Sequence, residues 1–152
     1  MKNIFFYKTK IGNVGIIDNG YSIIEIFFAS NKDENTNNAQ ETLLQKEANK
    51  QLKEYFEGAR KNFNIPLDPK GTPFQKKVWK ALETIPYGET RSYKEIAEQV
   101  GSPKAYRAVG MANNKNPISI IIPCHRVIGA NGKMVGYGGG LEIKEYLLNL
   151  EQ

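Results

Sequence analysis

The chain has 152 residues, of which 40% are hydrophobic and 24% charged, a balance typical of a globular protein. No apolar run approaches the roughly 18 residues that a membrane-spanning helix requires. The N-terminus lacks the pattern of a signal peptide, so we expect a cytoplasmic protein with no membrane partner. One cysteine and one histidine exclude an intramolecular disulfide and a four-ligand Cys/His zinc site, so no metal is expected.

The net charge of +5 lies entirely in the second half of the chain. Residues 1–68 carry nine basic and nine acidic side chains, whereas residues 69–152 carry twelve basic and seven acidic ones. A basic half beside a neutral half favours a polyanionic partner such as DNA. Taken alone, the same pattern also occurs in basic proteins that never meet nucleic acid.

The first half has the pattern of a small sheet followed by one helix. Turn signals at Gly12-Asn13 and Asn19-Gly20 separate three β-branched or aromatic runs. The predicted strands are Ile4–Tyr7, Val14–Ile17 and Ile23–Phe28. The polar segment 30–40 predicts a loop, and a helix ended by Gly58 follows it. Its apolar face consists of Leu44, Ala48, Leu52, Tyr55 and Phe56. We place the domain boundary after Asp68, which gives an N-terminal domain 1–68 and a C-terminal domain 69–152.

Two capping boxes mark helix starts in the second half. Thr72 and Gln75 bracket Pro73 at a first helical position, and Ser92 with Glu95 repeats the pattern. The inward stripes are Phe74, Val78 and Leu82 in the first helix and Tyr93, Ile96, Ala97 and Val100 in the second.

A third helix is predicted directly after Gly101, which ends the second. Ser102-Pro103 predicts its start. Its inward stripe would be Ala105, Ala108, Val109 and Ala112, and its opposite face offers Lys104, Arg107, Met111 and Asn114. Two short helices joined by a tight turn are typical of a helix-turn-helix, whose second helix would face DNA. A plain helical hairpin with a solvated charged face explains this stretch equally well.

The segment around the single cysteine combines a strand pattern with turns. The apolar run Ile118–Ile122 predicts a strand buried on both faces. Asn131-Gly132 predicts a hairpin turn, and residues 136–140 predict a flexible loop. A last helix would turn Ile143, Leu147 and Leu150 inward.

Cys124 is the candidate nucleophile. Only a thiolate is nucleophilic, so the thiol needs a base or a positive neighbour. His125 is adjacent, but neighbours in a strand point to opposite faces, so a turn after Pro123 or a bridging water would be required. Glu151 would orient the imidazole if the last helix folds back, which gives a Cys–His–Glu arrangement. An inert buried cysteine is the common alternative.

The segment 123–127, Pro-Cys-His-Arg-Val, preceded by Asn116-Pro117 and a run of isoleucines, resembles the active-site signature of the O6-alkylguanine-DNA alkyltransferase family. The resemblance extends from about Phe74 to Glu151. It implies an α+β fold in two lobes. The first would hold a small antiparallel sheet with a flanking helix, similar to ribonuclease H. The second would be mainly helical, with a winged helix-turn-helix that carries the active site.

The resemblance implies direct-reversal DNA repair. An alkyl group would pass irreversibly to Cys124 from O6-alkylguanine, and also from O4-alkylthymine, in a base flipped out of double-stranded DNA. Water does not hydrolyse the thioether product, and no second cysteine is present, so each molecule would act once without a cofactor. The protein would work as a monomer in the cytoplasm, associated with the nucleoid when bound to DNA.

Specific residues carry the implied roles in DNA binding and base recognition. The second helix of the helix-turn-helix would enter the minor groove, where Arg107 fills the space that the base leaves. Its DNA-contacting neighbours would be Tyr93, Lys104, Ala105, Ala108 and Met111. In the base pocket, Tyr93 would donate to guanine N3 and the carbonyls of Cys124 and Val127 would accept from the exocyclic amine. The rest of the pocket would be lined by Tyr137 and Gly138.

Two further residues would support the reaction, and two departures from the family pattern stand out. Lys144 would support the pocket, and Asn116 would brace the turn before the nucleophile.

Many family members have serine where this chain has Gly138, so a backbone N–H would have to donate to O6 of the base. The zinc site that some members hold in the first lobe is excluded by the single cysteine and histidine.

Three alternative functions predict different behaviour. A cysteine hydrolase using Cys124 and His125 would turn over esters or amides. A helix-turn-helix regulator without catalysis would bind a specific sequence and would not need Cys124. A lesion-binding relative that flags alkylated guanine would lack the nucleophile, which is present here.

Overall fold

The computed structural model describes residues 2–29, 40–132, 137 and 139–152. The chain divides into two compact units, Met1–Pro69 and Lys70–Gln152. None of the helices within the described ranges has both the length and the apolar character that a bilayer crossing requires.

The first unit is a three-stranded antiparallel sheet with one helix. All three predicted strands are present, and the first two are longer than predicted. They are β1 (Asn3–Thr9), β2 (Gly12–Asp18) and β3 (Ile23–Phe28), paired in the order β1-β2-β3. Within residues 2–29 and 40–69, the one helix is α1 (Leu43–Phe56). It contacts all three strands, and its buried side chains Ala48, Leu52 and Tyr55 belong to the same core as Val14 and Ile16 of β2.

The start of α1 is fixed by polar contacts, of which the first fits the T-x-x-Q sequence pattern of a capping box. Thr42 and Gln45 form a capping box. The Thr42 hydroxyl also donates to the buried carboxylate of Asp18, with an Oγ1–Oδ2 distance of 2.5 Å. Because Asp18 ends β2, this contact ties the helix start to the sheet.

The second unit is mainly helical. Its helices are α2 (Pro73–Glu83), α3 (Tyr93–Gln99), α4 (Tyr106–Asn114) and α5 (Leu141–Leu150). Both predicted capping boxes are present at α2 and α3. Of the predicted inward stripes, Phe74 and Tyr93 are only half-buried, whereas the other members are buried. Gly101 follows α3 with φ of 80°, a left-handed conformation that suits glycine and ends the helix.

Helix α4 begins later than predicted. Residues 102–105 form a turn closed by a hydrogen bond from Ala105 N–H to Ser102 O at 2.8 Å, and the helix starts at Tyr106. The prediction that Ala108 faces inward is wrong, because Ala108 is exposed. The buried positions are Val109, Ala112 and Asn113, whose i, i+3, i+4 spacing defines one helix face.

The predicted strand over Ile118–Ile122 is wrong. The segment is a series of turns in which Ile122 N–H donates to Ile118 O at 3.1 Å and Ile121 N–H donates to Ser119 O at 2.9 Å. Ile120 has φ of 74°, a conformation that β-branched residues rarely adopt. The apolar run was correctly read as buried, but its local hydrogen bonds replace the ladder of a sheet.

Asn131 and Gly132 both have positive φ, 67° and 76°, which is the conformation that the predicted hairpin turn requires. They lie in a short 3-10 segment, Ala130–Gly132, and the residues that would follow them in a hairpin, 133–136, lie outside the described residues. The neighbouring strand β5 (Val127–Ile128) pairs in parallel with β4 (Arg91–Ser92), which is distant in sequence. Residues 136 and 138 of the predicted flexible loop lie outside the described residues.

Helix α5 turns a different face inward than predicted. Leu147 is buried as expected, but Ile143 and Leu150 are only half-buried. Lys144 takes the inward position, because its ammonium group has a hydrogen-bond acceptor inside the unit. This helix therefore contributes a buried cation to the interior as well as apolar surface.

Candidate active site around Cys124

Cys124 is the first residue of a 3-10 helix, Cys124–Arg126, and is only 4% exposed. Burial raises the pKa of its thiol from 9.0 to about 11, although a hydrogen bond from the Asn116 side chain and the positive charge of Lys144 act in the opposite direction. The thiol is therefore protonated at neutral pH, so a nucleophilic Cys124 requires a group that takes its proton.

His125, the next residue in the chain, is the candidate for that group. Its Nε2 lies 2.8 Å from Glu151 Oε2, and both side chains are buried. Burial lowers the pKa of His125, so the imidazole is neutral at pH 7. A neutral ring that donates from Nε2 to the carboxylate keeps its lone pair on Nδ1. Nδ1 has no hydrogen-bond partner among the described residues, which leaves it available to accept a proton.

Arg126 completes this network, and sequence reasoning missed its role. Its Nε and Nη2 donate to the two oxygens of Glu151 at 2.9 and 3.0 Å, and Nη1 donates to Ile85 O at 2.7 Å. A bidentate contact of this kind fixes the plane of the carboxylate. The 3-10 turn explains why adjacent side chains reach one partner, since His125 and Arg126 would point to opposite faces of an extended strand.

Two asparagines bind the backbone around the nucleophile. The Asn116 amide Nδ2 donates to Ile122 O at 2.8 Å, and its Oδ1 accepts from Ile118 N–H at 3.0 Å. These are the local backbone contacts expected of this side chain in a turn. Asn113, which the sequence analysis did not select, donates from Nδ2 to Cys124 O at 3.3 Å. In the sequence, Asn113 could have been recognised as the one polar residue on a helix face that is otherwise small and apolar.

Lys144 binds the other carbonyl that was predicted to face the base. Its Nζ lies 2.6 Å from Val127 O, and the lysine is fully buried. Burial lowers the pKa of Lys144, and the thiolate form of Cys124 raises it. The ammonium group therefore has two effects, since it holds Val127 in place and favours the negative form of the nucleophile.

The two tyrosines of the predicted pocket are both in this unit. Tyr93 begins α3 and is half-buried, and a methyl group at Gly110 of α4 would lie 3.8 Å from its ring. The pKa of Tyr93 and of Tyr137 is raised by burial and then by the charge of Cys124. Both hydroxyls therefore stay protonated and can donate. Gly138 lies outside the described residues.

The outer face of α4 is separate from the buried network. Arg107, Ala108 and Met111 are exposed on the helix, and Lys104 is exposed just before it. Met111 is 69% exposed, a high value for an apolar side chain, whereas Ala105 is half-buried. We call Lys104, Arg107, Ala108 and Met111 the α4 surface.

Comparison with known proteins gives matches over both units. Residues 73–152 match the family model of the 6-O-methylguanine DNA methyltransferase DNA binding domain, and residues 5–69 match that of the ribonuclease-like domain of the same proteins. The methylated-DNA--protein-cysteine methyltransferase of Methanosarcina acetivorans is 65% identical over 106 residues, which are 70% of this chain and 68% of that protein.

Solved structures agree with the sequence matches. The crystal structure of Mycobacterium tuberculosis O6-methylguanine methyltransferase is 46% identical, with a TM-score of 0.88 over 99% of this chain and 93% of that one. A crystal structure of the Mycobacterium tuberculosis OGT in complex with DNA is 47% identical, with a TM-score of 0.87 over 96% and 90% of the two chains. With its Cys124 network and these matches over both units, the chain belongs to the 6-O-methylguanine DNA methyltransferase family.

Proposed function

We propose that this protein repairs DNA by moving an alkyl group from O6 of guanine to Sγ of Cys124, once per molecule. The observation that carries the proposal is the buried Cys124 beside a neutral His125, whose imidazole is held by Glu151 at 2.8 Å. The similar protein of Methanosarcina acetivorans supports it, since the name methylated-DNA--protein-cysteine methyltransferase describes methyl transfer from DNA to a protein cysteine.

The proposed reaction balances within the site. Sγ of Cys124 forms a bond to the alkyl carbon as the bond from that carbon to O6 breaks. The thiol proton goes to His125 Nδ1, and Glu151 stabilises the imidazolium that results. The departing guanine gains negative charge and takes up the proton that the imidazolium releases, which returns His125 to its neutral form. The hydroxyl of Tyr93 bonds to its N3, and Lys144 favours the transient thiolate.

The α4 surface supports binding of double-stranded DNA. Arg107 would occupy the stack when the target base turns out, and the other members of the surface would contact the minor groove. In this proposal α3 and α4 form a winged helix-turn-helix, and the unit of residues 1–69 has a ribonuclease H-like fold. The second unit then carries both DNA binding and alkyl transfer. We expect a monomer that acts on nucleoid DNA in the cytoplasm.

A helix-turn-helix regulator without catalysis is the weaker alternative. Sequence-specific DNA binding would use the α4 surface, but it would not require a buried cysteine next to a neutral histidine and two cations. The alkyl-transfer proposal gives each of these groups a chemical role, so we favour it.

Intact-protein mass spectrometry tests the proposal directly. The reduced protein is mixed with a short duplex that contains one O6-methylguanine, and a matched duplex with plain guanine is the control. We expect a gain of one methyl group, mapped to Cys124 by peptide analysis, that stops at one per protein molecule. No mass change with folded, reduced protein would overturn the proposal, and continued turnover would contradict the single use.

A further inference from the structure

We propose that Asn113 is a specificity-determining residue that competes with the exocyclic amine of the substrate base for the carbonyl of Cys124. The inference rests on the proposed function, because it concerns how the same pocket distinguishes bases. Asn113 lies in the last turn of α4, is 2% exposed, and donates from Nδ2 to Cys124 O at 3.3 Å.

The Cys124 carbonyl already has two donors. The backbone N–H of Val127 donates to it at the end of the 3-10 helix, and Asn113 Nδ2 is the second donor. A backbone carbonyl has two lone pairs. A base whose amine binds Cys124 O must therefore displace one donor, and the side chain of Asn113 can rotate whereas the backbone of Val127 is fixed by the turn.

The distances indicate which contact yields. The Asn113 bond of 3.3 Å is longer than the usual range for a neutral amide donor, so it is weak. The Lys144 bond to Val127 O is short at 2.6 Å and involves a charged donor, so it is strong. Of the two carbonyls expected to face the base, Cys124 O is the one whose side-chain partner is readily exchanged.

The other end of the Asn113 amide agrees with a displaceable contact. Its Oδ1 is buried and has no hydrogen-bond partner among the described residues. Burying a hydrogen-bond acceptor without a partner costs free energy, so the Asn113 side chain is not in its most stable hydrogen-bonding arrangement. When the amine of a base binds Cys124 O, it is also a hydrogen-bond donor beside the displaced side chain of Asn113. This donor partly offsets the lost bond from Asn113 to Cys124 O.

This arrangement predicts a specific effect on substrate choice. In the wild-type protein, an amine-bearing base must give up part of its hydrogen-bond gain to displace Asn113. A base without that amine leaves the Asn113 contact in place. Removing the amide should therefore increase the preference for the amine-bearing base by about two- to threefold, the effect of one neutral hydrogen bond at the weak end of its range.

The experiment compares transfer rates on two matched duplexes, one with O6-methylguanine and one with O6-methylhypoxanthine, which lacks the amine. The variants are Asn113→Leu, which keeps the approximate shape, and Asn113→Ala, which also tests for steric effects. Asn149→Leu makes the same change at an exposed asparagine of α5 and serves as the control. We expect the guanine-to-hypoxanthine rate ratio to rise in both Asn113 variants and to stay at the wild-type value in the control.

The outcomes separate the two proposals. No transfer by the wild-type protein on either duplex would refute the proposed function itself. Normal wild-type transfer with an unchanged ratio in a folded Asn113 variant would overturn the competition and leave the function standing. A variant that slows both substrates equally would show a merely structural role.

A measurement that leaves Asn113 intact covers the case of unfolded variants. In 15N-labelled Cys124→Ser protein, which cannot transfer, the side-chain amide signals of Asn113 are followed by NMR during titration with each duplex. We expect a large shift with O6-methylguanine and a small one with O6-methylhypoxanthine. Equal shifts with both duplexes would overturn the inference.

Discussion

Glu151 bridges two buried basic side chains, with Oε2 2.8 Å from His125 Nε2 and 3.0 Å from Arg126 Nη2. Arg126 is always charged, whereas burial keeps His125 neutral. The carboxylate therefore has a permanent counterion that is not the histidine. This leaves the histidine able to take up a proton and to have the resulting charge stabilised at once.

Glu151→Gln should affect both stability and transfer. Removing the carboxylate leaves the Arg126 charge buried and unpaired, which costs about 3–5 kcal/mol of unfolding free energy. Transfer should slow by about 10²-fold, because His125 loses its orienting partner. Chemical denaturation and single-turnover rates on methylated duplex measure the two effects.

The double variant Glu151→Gln/Arg126→Met is the control for the first prediction. It removes both members of the buried ion pair, so much of the lost stability should return, while transfer should remain slow. Equal instability in the single and double variants would contradict the charge argument. Recovery of transfer together with stability would show that Glu151 acts only on folding.

Cys124→Ser should abolish transfer and leave DNA affinity unchanged. The α4 surface, where we place the DNA contacts, does not include Cys124, and serine is similar in size to cysteine. Intact mass spectrometry and a gel-shift titration with the same duplex check the two halves of the prediction. Loss of DNA binding along with transfer would count against separate binding and reaction sites.

Arg107→Ala should slow transfer on duplex DNA by roughly tenfold or more, because unstacking a base costs a few kcal/mol that this side chain would help to offset. Transfer from a free O6-alkylguanine base should stay at the wild-type rate, since no stack has to be opened. Arg60→Ala removes the same charge from the other unit and controls for net charge. Equal slowing of Arg107→Ala on duplex and free base would rule out a role in base flipping.

Alkaline pH should destabilise the wild-type protein more than Cys124→Ser. Burial raises the thiol pKa from 9.0 to about 11, so between these values the unfolded chain loses the proton while the folded one keeps it. The contribution is fully present below pH 9 and is lost as the pH rises through 11, about 2–3 kcal/mol in total. Urea unfolding at pH 8 to 11 measures it, and parallel curves for the two proteins would contradict a raised thiol pKa.

Local chemistry in the sequence predicted the helix starts well. The capping boxes at Thr72 and Ser92 form as expected because all of their atoms lie within one turn of the chain. The three strands of the first unit were identified because alternating or β-branched runs between turn residues have few other solutions. The start of α4 was missed because Pro103 also fits the turn before the helix.

The candidate site was harder to predict, since its key contacts depend on a chain reversal. The apolar run Ile118–Ile122 has the composition of a strand, and nothing local signals the left-handed Ile120. Arg126 was missed because its contact with Glu151 depends on the turn of residues 124–126 and on where the last helix packs, neither of which a local pattern shows. Asn113 was missed because its partner, the Cys124 carbonyl, is set by the same turn.

Trp79 is the one tryptophan in the sequence, and it is 2% exposed with its indole N–H donating to Ala112 O at 2.8 Å. Ala112 belongs to the last turn of α4, next to Asn113. The emission of an indole is sensitive to its hydrogen bonding and to the polarity around it. The wavelength and intensity of Trp79 fluorescence should therefore respond to changes in the position of α4. DNA binding and base entry can then be followed by stopped-flow fluorescence without an added label.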